Sequence, residues 1–521
     1  MFSLAPDERL ASRRGLALTA VCGVLFLTFL DNTIVSVALA DMQASLAAGV
    51  SSLQWIVDGY MLAFAGLMLT GGTLGDLFGR RKVLLAGVAT FCAGSIVGAL
   101  ATGPSMLIAG RVVMGVGAAA CEPGTLSLIR QIYPDSHARA KALGVWTAVS
   151  GISLAVGPVA GGILVGFAGW RGIFWFNLAF GLVAFIVAAK TLRESADPAG
   201  RSLDIPGLIA GTAAVTAVTF AVIEGESVGY RTWWIALLFA VAAGACLAFV
   251  AVERRVKDPV LRLELFRIPA FSSATVVAFA TSFGLFAVFF FTSLYLQVVA
   301  HFSGWKIALQ FVAMAVAMAV AGRVAGTFTA TRGPRIPMAV GCALSGGGMF
   351  AVDALLKPDV SVAPLAGALA LVGFGLGLAL VAVTAAALSL VPGERSGMAA
   401  STINTAREFG GVLAVAILGA VVNARLVGDL TQKLNDLGVP SIFQSVVVNA
   451  VTHGGLPADA AAAGAANPVA GAHPGLVTQV LAAAEDAFGR GLHVALLVAA
   501  GVLLAGAFVS LAARRETPLA I

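Results

Sequence analysis

The chain is 521 residues long, 59% hydrophobic and only 11% charged, whereas an ordinary soluble domain is about 25% charged, which excludes a single water-soluble globule. Its 32 Lys and Arg against 26 Asp and Glu give a formal charge of +6, which in a soluble chain would suggest nucleic acid. Here the bases gather at the ends of apolar runs and describe membrane topology, so no nucleic-acid partner is expected. Fourteen spans of about 22 residues would occupy roughly 308 positions, leaving loops and tails too scattered for a soluble catalytic domain.

Apolar runs able to cross a hydrocarbon layer about 30 Å thick are predicted at 15–39, 52–74, 83–102, 105–129, 142–166, 172–189 and 205–224. Seven more follow at 233–252, 270–297, 307–328, 336–356, 362–391, 398–422 and 491–513. The fold class is therefore an all-α polytopic membrane protein. Arg13-Arg14 followed by Ala38-Leu39-Ala40 imitates a secretory signal, but Asp31 and Asn32 interrupt its apolar region, and a retained first helix is expected. Lys and Arg concentrate in alternate loops, such as Arg80-Arg81-Lys82 and Arg254-Arg255, which places both termini in the cytoplasm. A polar stretch at 193–204 and a long external loop at about 427–490, with a low-complexity Ala/Gly run at 460–474, are the main interruptions. Gly373, Gly375 and Gly377 lie inside an apolar run with no preceding strand, so helix packing is expected of them, not phosphate binding. Cys22, Cys92, Cys121, Cys246 and Cys342 all fall in apolar runs without paired or metal-ligand spacing.

Between the second and third spans stands Gly72-Thr73-Leu74-Gly75-Asp76-Leu77-Phe78-Gly79-Arg80-Arg81-Lys82. A carboxylate in this tight turn can sit against the N-terminus of a neighbouring helix, and the arginines can pair with an acid such as Asp135, contacts that exist in one conformation and break in another. A plain basic turn is the alternative. The whole string closely resembles the signature loop of the major facilitator superfamily.

Other strings resemble its subfamily of drug/proton antiporters with 14 transmembrane helices. Residues 30–40 read Leu-Asp-Asn-Thr-Ile-Val-Ser-Val-Ala-Leu-Ala, like the first-helix motif, departing at Ser36 and Ala40, where Asn and Pro are usual. Arg111-Val112-Val113-Met114-Gly115-Val116-Gly117 resembles the buried-arginine motif, with Met114 replacing a common Gln. The fifth span carries Gly151, Gly157, Pro158, Gly161 and Gly162 in the pattern associated with antiporters as opposed to symporters. Residues 170–177 and 393–411 look like further blocks, while an echo of the turn at 326–333 has Ala330 in place of the acid. The resemblance implies two six-helix bundles of inverted repeats: an N-terminal one at 1–192 and a C-terminal one at 270–521. Two additional helices would lie in 193–269, and the transport site between the bundles near the midplane.

Independently of that resemblance, Asp31, Asp58 and Arg111 lie at similar depth, about 9 to 12 Å from the outer ends of their spans. Arg111 and Glu122 share one helix face about 16 Å apart. Charges inside a span cost roughly 2.5 to 3.5 kcal/mol each, so they face a cavity, pair or titrate. Asp31 with Arg111 reads either as a permanent ion pair or as part of the proton path, and Asp58 either as a water contact or as a site residue. A carboxyl held from water, Asp31 or Glu122, suits proton binding and release. Asn404, Arg407 and Glu408 form one stripe of the thirteenth span, divided between gating structure and substrate path.

The expected function is multidrug efflux of amphipathic or lipophilic small molecules in exchange for protons, with no cofactor and no metal. The expected setting is a bacterial cytoplasmic membrane, as a monomer among membrane lipids. A dedicated exporter of a lipid or self-made antibiotic is the alternative. An enzyme is not expected, since the histidines at 137, 301, 453, 473 and 493 have no catalytic or metal spacing. No Gly-x4-Gly-Lys-Ser/Thr loop supports an ATP-driven pump.

Overall fold

The computed structural model describes residues 6–46, 48, 50–195, 204–256, 259, 261–300, 302, 304–357, 359–391, 396–436, 444 and 474–513. The low-complexity run before Pro474, residues 393–395 and Arg514 with Arg515 lie outside the described residues. The elements are helical: α1 (Pro6–Ile34), α2 (Leu39–Leu46), α3 (Val50–Phe78), α4 (Arg80–Ala99), α5 (Pro104–Ile132), α6 (Ser136–Ala168) and α7 (Arg171–Thr191). Then come α8 (Ile205–Val228), α9 (Trp233–Glu253), α10 (Pro269–Val298), α11 (Gly304–Arg332), α12 (Arg335–Leu355), α13 (Val362–Ser389), α14 (Ser396–Asp436) and α15 (Pro474–Ala512).

Among the described residues 12 helices are long and apolar enough to cross a membrane, or 13 if the bent pair Trp55–Met68 and Thr70–Phe78 is one span. The expected count of 14 is thus not confirmed. The expected span at 142–166 corresponds to α6, a helix of 33 residues that is not among those counted. The long loop also needs correction. Helix α14 continues to Asp436 and α15 begins at Pro474, so much of 427–490 is helix. Ion pairs hold these extensions together, Arg490 to Asp429 at 2.7 Å and to Asp486 at 2.7 Å, and Lys433 to Asp486 at 3.4 Å.

Two groups of helices repeat one packing scheme. In the first, α5 packs on α3 and α4, and α7 on α1 and α4; in the second, α13 packs on α11 and α12, and α15 on α10 and α12. Glycines permit the close crossings, because without side chains the backbones can touch. A Cβ on Gly87 would lie 2.7 Å from the Gly117 carbonyl, and one on Gly94 2.7 Å from that of Gly110, which seats α4 on α5. Gly341 repeats this in the second half, where a Cβ would lie 2.5 Å from the Gly375 carbonyl and join α12 to α13. The two halves meet chiefly through α6 on α11 and α3 on α14, while α8 and α9 pair and α8 leans on α3 and α14.

A polar brace and a polar seam

Asp31 on α1 is fully buried. One of its oxygens forms an ion pair with Arg111 of α5, and the other accepts a 2.7 Å hydrogen bond from the Asn177 amide of α7. Arg111 also donates to the Ile56 carbonyl of α3 at 2.8 Å, and its guanidinium lies 4.4 Å from the centre of the Tyr60 ring. The Tyr60 hydroxyl returns to α1 by donating to the Thr28 carbonyl at 3.2 Å. Four helices are thus braced by one network in which both Asp31 oxygens are occupied, as a buried pair requires if its desolvation is to be offset. Arg111 reaches α3 through the Ile56 carbonyl, and Asp58, partly buried two residues on, is not drawn into these bonds with Arg111. Asn177 and Tyr60 were not picked out as site residues from sequence. Their signal was only a polar group in an apolar run.

A second group lies on the seam between the halves. Glu122 of α5 is 1% exposed, and neither of its carboxylate oxygens has a hydrogen-bond partner among the described residues. Arg407 and Glu408 of α14 are close enough to act on it electrostatically. The Arg407 guanidinium lies 5.3 Å from the Trp146 ring of α6 and 5.9 Å from the Phe29 ring of α1. It donates to the Asn404 side chain at 3.4 Å. Trp146 is fixed in turn by its indole N–H, which donates to the Thr125 hydroxyl at 3.1 Å. The Arg407 guanidinium from one half therefore sits against aromatic faces of the other.

The turn after α3 makes the third assembly. Gly79 has φ +108°, a backbone angle that excludes most side chains, and a Cβ there would also lie 2.5 Å from the Glu194 carboxylate. Asp76 accepts from the Arg80 guanidinium at 3.0 and 2.7 Å with one oxygen and from the Met398 backbone N–H at 3.0 Å with the other. The latter is an otherwise orphaned donor in the first turn of α14, so Asp76 caps a helix of the opposite half, while Gly72 is buried nearby in α3. The expected pairing with Asp135 is not what forms. Asp135 is the N-cap of α6, accepting from the Ala138 N–H at 2.8 Å. Arg81 instead donates to the Ala189 carbonyl at 2.6 Å, and Glu194 accepts from the Arg81 and Lys82 N–H groups at 3.1 and 3.2 Å. The echo turn between α11 and α12 repeats the backbone device, with Gly333 at φ +76°.

Two more contacts close the same end of the molecule. Arg130 of α5 donates to the Leu388 and Val391 carbonyls at 2.5 and 2.9 Å. A Cβ on Gly144 of α6 would lie 2.6 Å from the Gly322 carbonyl of α11. Further along α6, a Cβ on Gly151 would meet the Met318 sulfur of α11 at 2.9 Å. Gly157 and Gly161 of the same motif do not face the other half. They abut Thr33 and Ile34 of α1, and Gly162 has nothing within 4 Å. The ring of Pro158 lies outside the described residues.

A family model described as Major Facilitator Superfamily matches residues 21–415. The chain is 33% identical over 487 residues to multidrug resistance protein Stp of Mycobacterium tuberculosis, covering 92% of this chain and 88% of the relative. It is 33% identical over 417 residues to the methylenomycin A resistance protein of Bacillus subtilis, with 79% and 88% covered. It is 29% identical over 519 residues to the tetracenomycin C resistance and export protein of Streptomyces glaucescens, with 98% and 94% covered. Among solved structures, the human organic anion transporter MFSD10 superposes with a TM-score of 0.61 at 13% identity, covering 97% of this chain and 100% of that one. The proton:xylose symporter XylE superposes with a TM-score of 0.57 at 14% identity, covering 78% and 88%. At these identities the structural likeness is one of fold.

Proposed function

The chain belongs to the Major Facilitator Superfamily, and on that premise we propose that it exports amphipathic or lipophilic small molecules in exchange for protons by alternating access. The single observation that carries the reading is Glu122: a buried carboxyl without a hydrogen-bond partner among the described residues, within electrostatic reach of Arg407 and Glu408 across the seam. A proton on Glu122 removes its attraction for Arg407, and a cationic guest replaces that attraction, so proton and guest compete for one carboxylate. Asp31 is held by Arg111 and Asn177, which favours a bracing role for it and leaves Glu122 as the coupling group. The drug and antibiotic resistance functions named for relatives support efflux, and the export function named for the tetracenomycin relative also suits a dedicated exporter of one antibiotic.

The Gly79 end, rich in Lys and Arg, faces the cytoplasm in this reading, with both termini inside and the chain a monomer in a bacterial cytoplasmic membrane. Its ties at Asp76, Arg130 and Gly144 then close the inward gate. The deciding experiment is reconstitution in liposomes with an imposed pH gradient, using a lipophilic cation, a neutral drug and a lipid as probes. Gradient-driven movement of the first two supports the proposal; movement of the lipid alone favours the dedicated exporter, and movement indifferent to the gradient rejects proton exchange. Glu122→Gln should abolish the gradient dependence while leaving the protein folded.

A further inference from the structure

A cavity of about 590 Å³ opens at the Gly79 end beneath the first half, away from the seam, where α1 begins and α5 and α7 finish. That volume falls within the roughly 300–1,000 Å³ usual for small-molecule sites. Its rim carries Arg14 from α1, Lys190 from the last turn of α7, and Arg193 just beyond it. All three side chains are exposed, and among the described residues no acid lines the cavity and no ion pair engages any of the three bases. Gln131 of α5 adds an amide at the rim, whereas Ile132 and Leu16 supply apolar wall, and Leu16 is itself half exposed on the flank of the molecule.

Bases at the ends of α5 and α7 complement the helix dipoles, but dipoles alone call for no apolar chamber behind the charges. A soluble phosphate would use the basic rim and leave the apolar wall wet. A phospholipid uses both. Its phosphodiester meets Arg14, Lys190 and Arg193 at the membrane surface, while the first carbons of its acyl chains lie along Ile132 and leave over Leu16 into the bilayer.

We propose that this cavity is a binding site for the headgroup of an anionic phospholipid. The site bears on the gate through its neighbour. Gln131 follows Arg130, whose guanidinium spans the two halves to reach Leu388 and Val391, so a bound lipid that gathers the ends of α1, α5 and α7 steadies the residue that holds the gate shut. The Tyr133 hydroxyl already ties α5 to α1 by donating to the Arg14 carbonyl at 3.4 Å.

The test is retention of lipid by the full chain in a neutral detergent, read by native mass spectrometry, and it is independent of any transport substrate. Phosphatidylglycerol, phosphatidylcholine and free glycerol phosphate are added in turn. Phosphatidylglycerol should be retained in preference to phosphatidylcholine. The variant combining Arg14→Gln, Lys190→Gln and Arg193→Gln should weaken phosphatidylglycerol by about a hundredfold, the sum expected of three surface bases. An equal loss of charge at Arg254, Arg255 and Arg332, exposed bases that do not line the cavity, should leave retention unchanged. Equal weakening by both variants would reduce the effect to diffuse surface charge and overturn the proposal. Displacement of the lipid by glycerol phosphate would reassign the cavity to soluble phosphoesters. If the triple variant does not survive purification, a photoactivatable phosphatidylglycerol on the unaltered protein decides: labelling at residues 14–17 and 190–193 supports the site, and labelling confined elsewhere removes it.

Discussion

Asp31 and Glu122 have the same chemistry and opposite surroundings, and that difference sets what each substitution does. Arg111→Leu leaves Asp31 buried beside Asn177 without its counter-charge, which should cost about 3–5 kcal/mol of stability and lower the unfolding temperature in detergent. Transport by this variant falls because the protein fails. Glu122→Gln removes no hydrogen bond from any described residue, so unfolding should barely move while exchange loses its response to pH. An equal loss of stability in both variants would place Glu122 in the scaffold. The shared depth of Asp31 and Arg111 was legible in the sequence, since helical rise converts residue number to depth. Their third and fourth partners were not. Asn177 and the Ile56 carbonyl depend on how α7 and α3 are rotated about their axes, which packing decides. Glu194 was illegible for a different reason, because a loop acid carries no periodic signal until the chain after α7 folds back over α4.

Helix α6 shows what glycine spacing does reveal. At 100° per residue, Gly144 and Gly151 fall within about 20° of one face and Gly157 and Gly161 within about 40° of another, the two faces being about 120° apart. The first face meets α11 and the second meets α1, so one motif serves two interfaces. Which neighbour each face meets is decided by packing and is not written in the spacing. Gly144→Leu places a side chain against the Gly322 backbone, which cannot yield, and should hold the halves apart at the Gly79 end. The variant should purify as a monodisperse species and leak protons in liposomes. Gly157→Leu instead drives into Thr33 and Ile34 within the first half and should reduce the yield of folded protein. Gly151→Leu meets the end of the flexible Met318 side chain and should be the mildest of the three. If Gly157→Leu leaks and Gly144→Leu does not, the assignment of faces is reversed.

For the whole molecule, apolar run length sufficed to expect a bundle of long helices, and the repeated glycine crossings of α4 on α5 and α12 on α13 follow from composition and spacing. Helix ends were harder to read. The extensions of α14 and α15 past the apolar runs are stabilised by Arg490, Asp429 and Asp486, charges that in sequence resemble a loop. The closure between halves can be followed with spin labels at Phe78 and Arg332, both exposed near the Gly79 end. Asp76→Asn should lengthen that distance and enlarge the open population. An unchanged distribution would mean that Asp76 only stabilises its own turn through Arg80.

The polar ties described at that end pair side chains of one half with the main chain of the other. Asp76 and Arg130 bring side chains from the first half, and among the described residues the second half meets them with the Met398 N–H and the Leu388 and Val391 carbonyls. Main-chain atoms are identical in every residue, so side-chain replacements at Leu388, Val391 and Met398 should leave these three hydrogen bonds in place. The exception is proline. Met398→Pro deletes the backbone N–H that donates to Asp76, at a position in the first helical turn where proline is tolerated. Met398→Ala should keep the gate closed and Met398→Pro should open it, a contrast that hydrophobic packing of Met398 would not produce.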